Sequence, residues 1–392
     1  MHRYRCSLTM IALLLLTVGG AGSRAQQAAP TPPKPGEGEA APLAYTVSSS
    51  DPRLRYEGRF DLRDAAGPRC AWPASAVTLR FQGTGLNVRL RDSNNDEYQV
   101  VVDGQPSAVL VTRGGAHLYG VFHATADSLQ QGPHTVTLVK RTEAFFGTTQ
   151  FLGFQVARGG RLLPPPPRPA RRLEVIGDSI SCGYGNEAKD QHERFTSATE
   201  NASLSYGAVA ARAVGAEYAC LAWSGRTMWP KNTMGEIYDK ALPLDPGSRW
   251  DFARWTPDAV VVNLSTNDFS GGTPDRKGWI AGYETFLARV RRSYPRAAIY
   301  CTTSPMLAGS PAAVAETYLT QIVADENAAG DKNVKLLVFE TQDGGKNGFG
   351  ADWHPSVKTD AILAGKLAAT LAADLGWTLV AAKRSKKNHA AF

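Results

Sequence analysis

The chain has 392 residues, 43% of them hydrophobic, enough for two ordinary cores at roughly 100–200 residues per domain. A single small domain is excluded. The formal charge of +7 is not accompanied by interleaved basic and aromatic residues, so a nucleic-acid partner is not expected.

The first 25 residues read as an export signal. Arg3 and Arg5 precede a mostly apolar run from Leu8 to Val18, and Ser23-Arg24-Ala25 resembles a small-x-small cleavage site. The run is too short to span a bilayer, and no later stretch approaches the roughly 18 apolar residues a transmembrane helix needs. A soluble, secreted (extracellular or periplasmic) mature protein with no membrane partner is expected. Cys6 precedes the apolar run and is lost with it, so no lipid anchor is expected either. Removing Arg3, Arg5 and Arg24, and no acid, takes the charge from +7 to +4.

Residues 26–42, rich in Ala, Pro, Gln and Gly, form a disordered lead-in. Residues 43–161 are a run of short alternating segments: Val77 to Phe81, Leu86 to Leu90, Tyr98 to Val102 and His134 to Leu138. Asp103-Gly104 between apolar runs is a hairpin signal. This module is all-β, a jelly-roll-like sandwich. The proline run within residues 162–171 can only be extended and marks a linker.

Across residues 172–382 the pattern changes to α/β. Leu173 to Ile176, Glu217 to Leu221, Ala259 to Leu264, Ala298 to Thr302 and Val334 to Val338 read as strands. Ser205 to Val214, Trp279 to Ser293, Ala312 to Asn327 and Thr359 to Leu375 read as helices. This alternation predicts a parallel sheet flanked by helices, with working residues beyond the carboxyl ends of its strands. Residues 383–392, with Lys383-Arg384-Ser385-Lys386-Lys387, are a solvated basic tail. Cys70, Cys182, Cys220 and Cys301 remain after export; they allow three full disulfide pairings or buried free thiols, and their spacing does not choose. No metal-ligand spacing occurs.

Ser179 follows the first parallel strand in Gly177-Asp178-Ser179-Ile180. Polar elements recur after later strands: Trp223-Ser224-Gly225, Ser265-Thr266-Asn267-Asp268 and Asp352-Trp353-His354. In this order they resemble the four blocks of the GDSL or SGNH hydrolase superfamily. The run Gly177-Asp178-Ser179-Ile180-Ser181-Cys182-Gly183-Tyr184-Gly185-Asn186, together with Thr266-Asn267-Asp268-Phe269 and a preceding β module, resembles carbohydrate esterase family two. Tyr56-Glu57-Gly58-Arg59-Phe60, Phe81-Gln82-Gly83-Thr84 and Lys140-Arg141-Thr142-Glu143-Ala144 extend that similarity through the first module.

The resemblance implies an SGNH-type fold and a serine esterase that removes acetyl groups from a polysaccharide such as xylan or glucomannan. It implies no cofactor. A serine hydroxyl needs a base within hydrogen-bond reach, and His354 is the candidate, with Asp352 expected to hold its tautomer. The resemblance assigns the oxyanion donors to the backbone N–H groups of Ser179 and Gly225 and the side-chain amide of Asn267. Trp353 and Trp229 are candidate sugar platforms. Asp178 and Asp268 are expected to be structural, and Trp223 a core residue.

One departure is Ser265, where the superfamily carries glycine; it bears on acyl-group size. Lipases, thioesterases and peptidoglycan O-acetyl esterases use the same blocks, and a non-catalytic carbohydrate-binding protein is the alternative of another class. A monomer is expected, with the oligomeric state left open by the sequence.

Overall fold

The computed structural model describes residues 40–124 and 132–380. The expected export signal, most of the expected lead-in and the expected basic tail lie outside the described residues.

The first module contains eleven described strands: β1 (Tyr45–Val47), β2 (Arg55–Glu57), β3 (Arg69–Cys70), β4 (Ala76–Gln82), β5 (Gly85–Asp92), β6 (Glu97–Val102), β7 (Gln105–Val111), β8 (Gly115–His123), β9 (His134–Lys140), β10 (Thr149–Val156) and β11 (Arg161–Leu163). They form two antiparallel sheets. One runs β1-β10-β5-β8 with β3 also on β10, the other β11-β4-β9-β6-β7 with β2 on β4. Alternation drives the packing: Leu79 and Phe81 of β4 and Val88 and Leu90 of β5 are buried, while Arg80, Gln82, Arg89 and Arg91 face solvent. Asp103 and Gly104 close the β6–β7 hairpin with φ of +51° and +81°, the paired positive angles that a type I′ turn requires. The sandwich ends at Leu163 rather than 161, because β11 pairs with β4.

The prolines that follow carry no regular structure. The second module is a parallel sheet of β12 (Arg171–Gly177), β13 (Ala216–Ala222), β14 (Ala259–Asn263), β15 (Ala298–Thr302) and β16 (Val334–Leu337), in the order β13-β12-β14-β15-β16. Seven described helices accompany it: α1 (Ser179–Cys182), α2 (Tyr206–Ala213), α3 (Thr266–Phe269), α4 (Arg276–Ser293), α5 (Gly309–Ala328), α6 (Gly344–Asn347) and α7 (Val357–Leu375). Alternate strand residues point to opposite faces. Ile176, Val260, Val262 and Ile299 pack with Trp279, Tyr283 and Leu287 of α4 and Leu319 of α5. Val175, Val261 and Tyr300 pack with Tyr206 of α2 and Leu367 and Leu371 of α7. With β13 and β14 on either side of β12, the strand order reverses there, which opens a crevice at the carboxyl edge.

Residues of the first module enter the core of the second. Arg59, which follows β2, is buried; its guanidinium meets Glu174 of β12 at 3.3 Å and lies 5.2–5.3 Å from the ring centroids of Tyr238, Trp250 and Phe252. Trp72 Nε1 donates to the Lys240 carbonyl at 3.2 Å. A buried ion pair contributes little net stability, but removing one partner strands a charge at a cost of about 3–5 kcal/mol. The pair therefore resists separation of the modules.

Among the described residues, Cys70, Cys182, Cys220 and Cys301 are buried free thiols, the second of the two readings the spacing allowed. Among the described residues no helix is long and apolar enough to cross a membrane.

Candidate active site

Ser179 is the first residue of α1, directly beyond the end of β12. The Asp178 carboxylate accepts from the Ile180 N–H at 3.1 Å and caps the short helix, and burial pushes this carboxyl up to about 7. Asp178 is thus a structural neighbour of Ser179, as expected. Ser179 Oγ lies 2.8 Å from His354 Nε2.

The other ring nitrogen of His354, Nδ1, lies 3.1 Å from the carbonyl of Ala351. A carbonyl can only accept, so Nδ1 carries the proton in the neutral ring and Nε2 has the free lone pair. The Ser179 hydroxyl therefore donates to His354. Burial holds the imidazole below its ordinary pKa, against smaller opposing contributions from the Ala351 and Asp352 backbone and the Asp352 charge.

The expected role of Asp352 requires correction. Its carboxylate accepts from the Tyr184 hydroxyl at 2.9 Å, and the position it was assigned at Nδ1 belongs to the Ala351 carbonyl. The cause is local backbone geometry. Asp352 and Trp353 have φ of +51° and +59°, a left-handed pair that costs roughly 1–3 kcal/mol per residue, and the reversal leaves the Ala351 carbonyl at Nδ1. Hydrogen bonds from the loop after Ser179 support it: Ala351 N–H donates to the Gly185 carbonyl at 2.9 Å and Asp352 N–H to the Gln191 carbonyl at 3.2 Å. Gly185 has φ of +56°, and a Cβ there would meet the Ala351 Cβ at 2.4 Å. A side chain at 185 would push away the segment that orients His354.

Asp352→Asn is accordingly expected to keep kcat/KM within about tenfold of wild type, against a loss of about 10⁴ where an aspartate holds the imidazole. Steady-state kinetics on an aryl acetate decides between them.

Tyr184 is a site residue that sequence reasoning quoted within a motif but gave no role. Its ring stacks on Phe195 at 3.7 Å and lies 4.2 Å from the His354 ring. It forms the wall behind the imidazole. Its place five residues after Ser179 was the available signal.

The N–H groups of Ser179 and Gly225 donate to no acceptor among the described residues. Gly225 follows β13, is exposed and has φ of +78°. Asn267 lies in α3 beyond β14; its Nδ2 donates to the Arg226 carbonyl at 2.9 Å and makes a longer 3.4 Å contact with Asp178. The first bond orients the amide, and the hydrogen with the longer contact is the one that a developing oxyanion can draw. Asp268 accepts from the N–H groups of Met228 and Trp229 at 2.9–3.1 Å, which is the structural role expected of it. Ser265 is fully buried, so its side chain does not form part of the exposed surface of the site.

Trp353 is 53% exposed and meets His192 edge to face at 5.8 Å. Trp229 is half-buried; its ring packs on Gly278 and Gly282 of α4 and lines a cavity of about 450 Å³ whose lining includes neither Ser179 nor His354. Trp223 packs against the core with the Arg226 guanidinium 5.1 Å above its ring.

Glu143, Cys182 and Glu200 bring one potential ligand atom each to within 4.8 Å of one another. The Glu143 oxygens are already engaged by Ser224.

A serine and histidine in hydrogen-bond contact at the carboxyl edge of a parallel sheet, with free N–H groups beside them, are the parts of an acyl-transfer site. Residues 175–362 match the GDSL-like lipase/acylhydrolase family model, and residues 56–166 match the carbohydrate esterase 2 N-terminal model. The cellulase/esterase CelE of Acetivibrio thermocellus is 39% identical over 343 residues, covering 85% of this chain and 41% of that protein; the chain thus spans less than half of that relative. An acetylxylan esterase / glucomannan deacetylase of Cellvibrio japonicus is 30% identical over 349 residues, covering 82% of this chain and 92% of that protein. The structure of a family two carbohydrate esterase from Clostridium thermocellum in complex with cellohexaose superposes with a TM-score of 0.79 at 38% identity, covering 83% of this chain and all of that one. The chain belongs to carbohydrate esterase family two.

Proposed function

We propose that the protein is an exported esterase that removes acetyl groups from a β-linked plant polysaccharide, xylan or glucomannan, through an acyl-enzyme on Ser179. The observation that carries this reading is the 2.8 Å contact between Ser179 Oγ and a His354 whose tautomer is set by a backbone carbonyl. In the first step His354 Nε2 takes the hydroxyl proton as Oγ attacks the acetyl carbonyl. The Ser179 and Gly225 N–H groups and the Asn267 amide receive the oxyanion, and the sugar oxygen leaves with the proton from His354. Water then repeats the sequence on the acetyl-serine and releases acetate. The relatives' acetylxylan esterase / glucomannan deacetylase and cellohexaose descriptions support the substrate class. The exposed Trp353, next in sequence to His354, offers an apolar face for a sugar ring.

The test is acetate release from acetylated xylan, acetylated glucomannan and an aryl acetate, with long-chain acyl esters beside them. Release from the acetylated glycans supports the reading, and a preference for long acyl chains overturns it.

The pH dependence follows from His354. Burial favours the neutral imidazole, so the base persists to lower pH than in a free histidine. The acid limb of kcat/KM is expected to have its midpoint below the ordinary value of about 6.5. A midpoint above that value contradicts the assignment.

A further inference from the structure

We infer that Glu143, supplied by the β-sandwich module, is a positioning residue for the oxyanion-binding loop: it holds Ser224 and thereby sets the N–H of Gly225. This rests on the esterase reading above. Glu143 follows β9 and is fully buried. Its carboxylate accepts from the Ser224 N–H at 2.7 Å and, through its other oxygen, from the Ser224 hydroxyl. A carboxylate receiving both donors of one residue fixes the peptide that leads into Gly225.

Glu143 is itself tied back into its own module. Lys140 Nζ donates to the Glu143 carbonyl at 3.2 Å and to Asp96 at 2.6 Å, all three residues being buried. On its other side the Glu143 N–H donates to Glu200 Oε2 at 3.0 Å. Burial raises both glutamates. Both Glu143 oxygens receive donors from Ser224, so Glu143 is the acceptor at this contact.

Gly225 needs such support from outside. A Cβ placed on it would meet nothing within 4 Å, so side-chain packing does not set its orientation. Its carbonyl accepts from Asn232 Nδ2 at 2.9 Å, and the next carbonyl, of Arg226, accepts from Asn267. Among the described residues, Glu143 is the one side chain that holds the N-terminal side of this glycine, and it comes from the other module. The sandwich thus takes part in building the catalytic centre of its neighbour. Displacing an oxyanion donor by about 1 Å costs up to about 100-fold in rate.

The test uses the full exported chain and compares wild type with Glu143→Ala, Glu143→Gln and Ser224→Ala on an aryl acetate. Active sites are counted by covalent phosphonate titration, so that unfolded protein does not enter kcat. Glu143→Ala is expected to lose roughly 10–100-fold in kcat per titrated site with KM within about threefold. Glu143→Gln, which keeps an acceptor for Ser224, should recover most of the loss, and Ser224→Ala, which keeps the backbone bond, should show a smaller loss of the same kind. If Glu143→Ala does not fold, the other two variants carry the same comparison. Wild-type kcat per titrated site in Glu143→Ala, or in Ser224→Ala where the first does not fold, overturns the proposal, as does a loss explained wholly by fewer titratable sites. A wild-type enzyme inactive on every ester overturns the esterase reading, and this proposal with it.

Discussion

Replacing Ser179 by alanine is expected to lower kcat for acetate release by about 10⁵–10⁶-fold, replacing His354 by alanine to cost about as much, and the double variant to be no worse than either. The two side chains are one device. Without the imidazole the hydroxyl keeps its proton and is a poor nucleophile; without the hydroxyl the base has nothing to activate. Their 2.8 Å contact and the Ala351 carbonyl at Nδ1 place that device in its working tautomer before substrate arrives. Residual activity of roughly 10³-fold over water should survive all three variants, because the oxyanion donors remain. Multiplicative losses in the double variant would show that the residues act independently and would contradict the site as described.

Asn267→Ala is expected to reduce kcat by about 10²–10³-fold, or roughly 2.7–4 kcal/mol of transition-state stabilisation, with KM little changed. Its amide is held by the Arg226 carbonyl at 2.9 Å and reaches Asp178 only at 3.4 Å, so one N–H remains available to charge that appears only during attack. Asn267→Asp should be at least as damaging, since it removes the donor and places a second carboxyl beside Asp178. Steady-state kinetics separates the effects: a rise in KM with kcat preserved would make Asn267 a ground-state binding residue instead.

Much of this site could be read from the sequence because the residues that carry it stand at the ends of strands. Ser179, Gly225 and Asn267 each follow a buried apolar run, and β12, β13 and β14 put all three at one edge. The turn at Asp103-Gly104 was equally legible, since few residue pairs adopt two positive φ angles. The partner of His354 was not. The Asp-x-His spacing points to a side chain, whereas Nδ1 is held by a main-chain carbonyl exposed through two left-handed residues, and a carbonyl has no residue signature. The packing of Trp229 was also out of reach, because its two glycine neighbours in α4 lie some fifty residues away in sequence. Contacts between the modules were also invisible. Arg59, Trp72 and Glu143 look like ordinary strand-end residues until the fold carries them into the second module.

Whether Ser179 is the nucleophile of an esterase can be read most directly from covalent labelling with an aryl phosphonate ester, followed by peptide mass spectrometry and measurement of remaining acetate release. One phosphonyl group per chain is expected, carried on the peptide that contains Ser179, with activity lost in step with labelling. Activity that survives full modification of Ser179, or that is lost through a label on another residue, would contradict it.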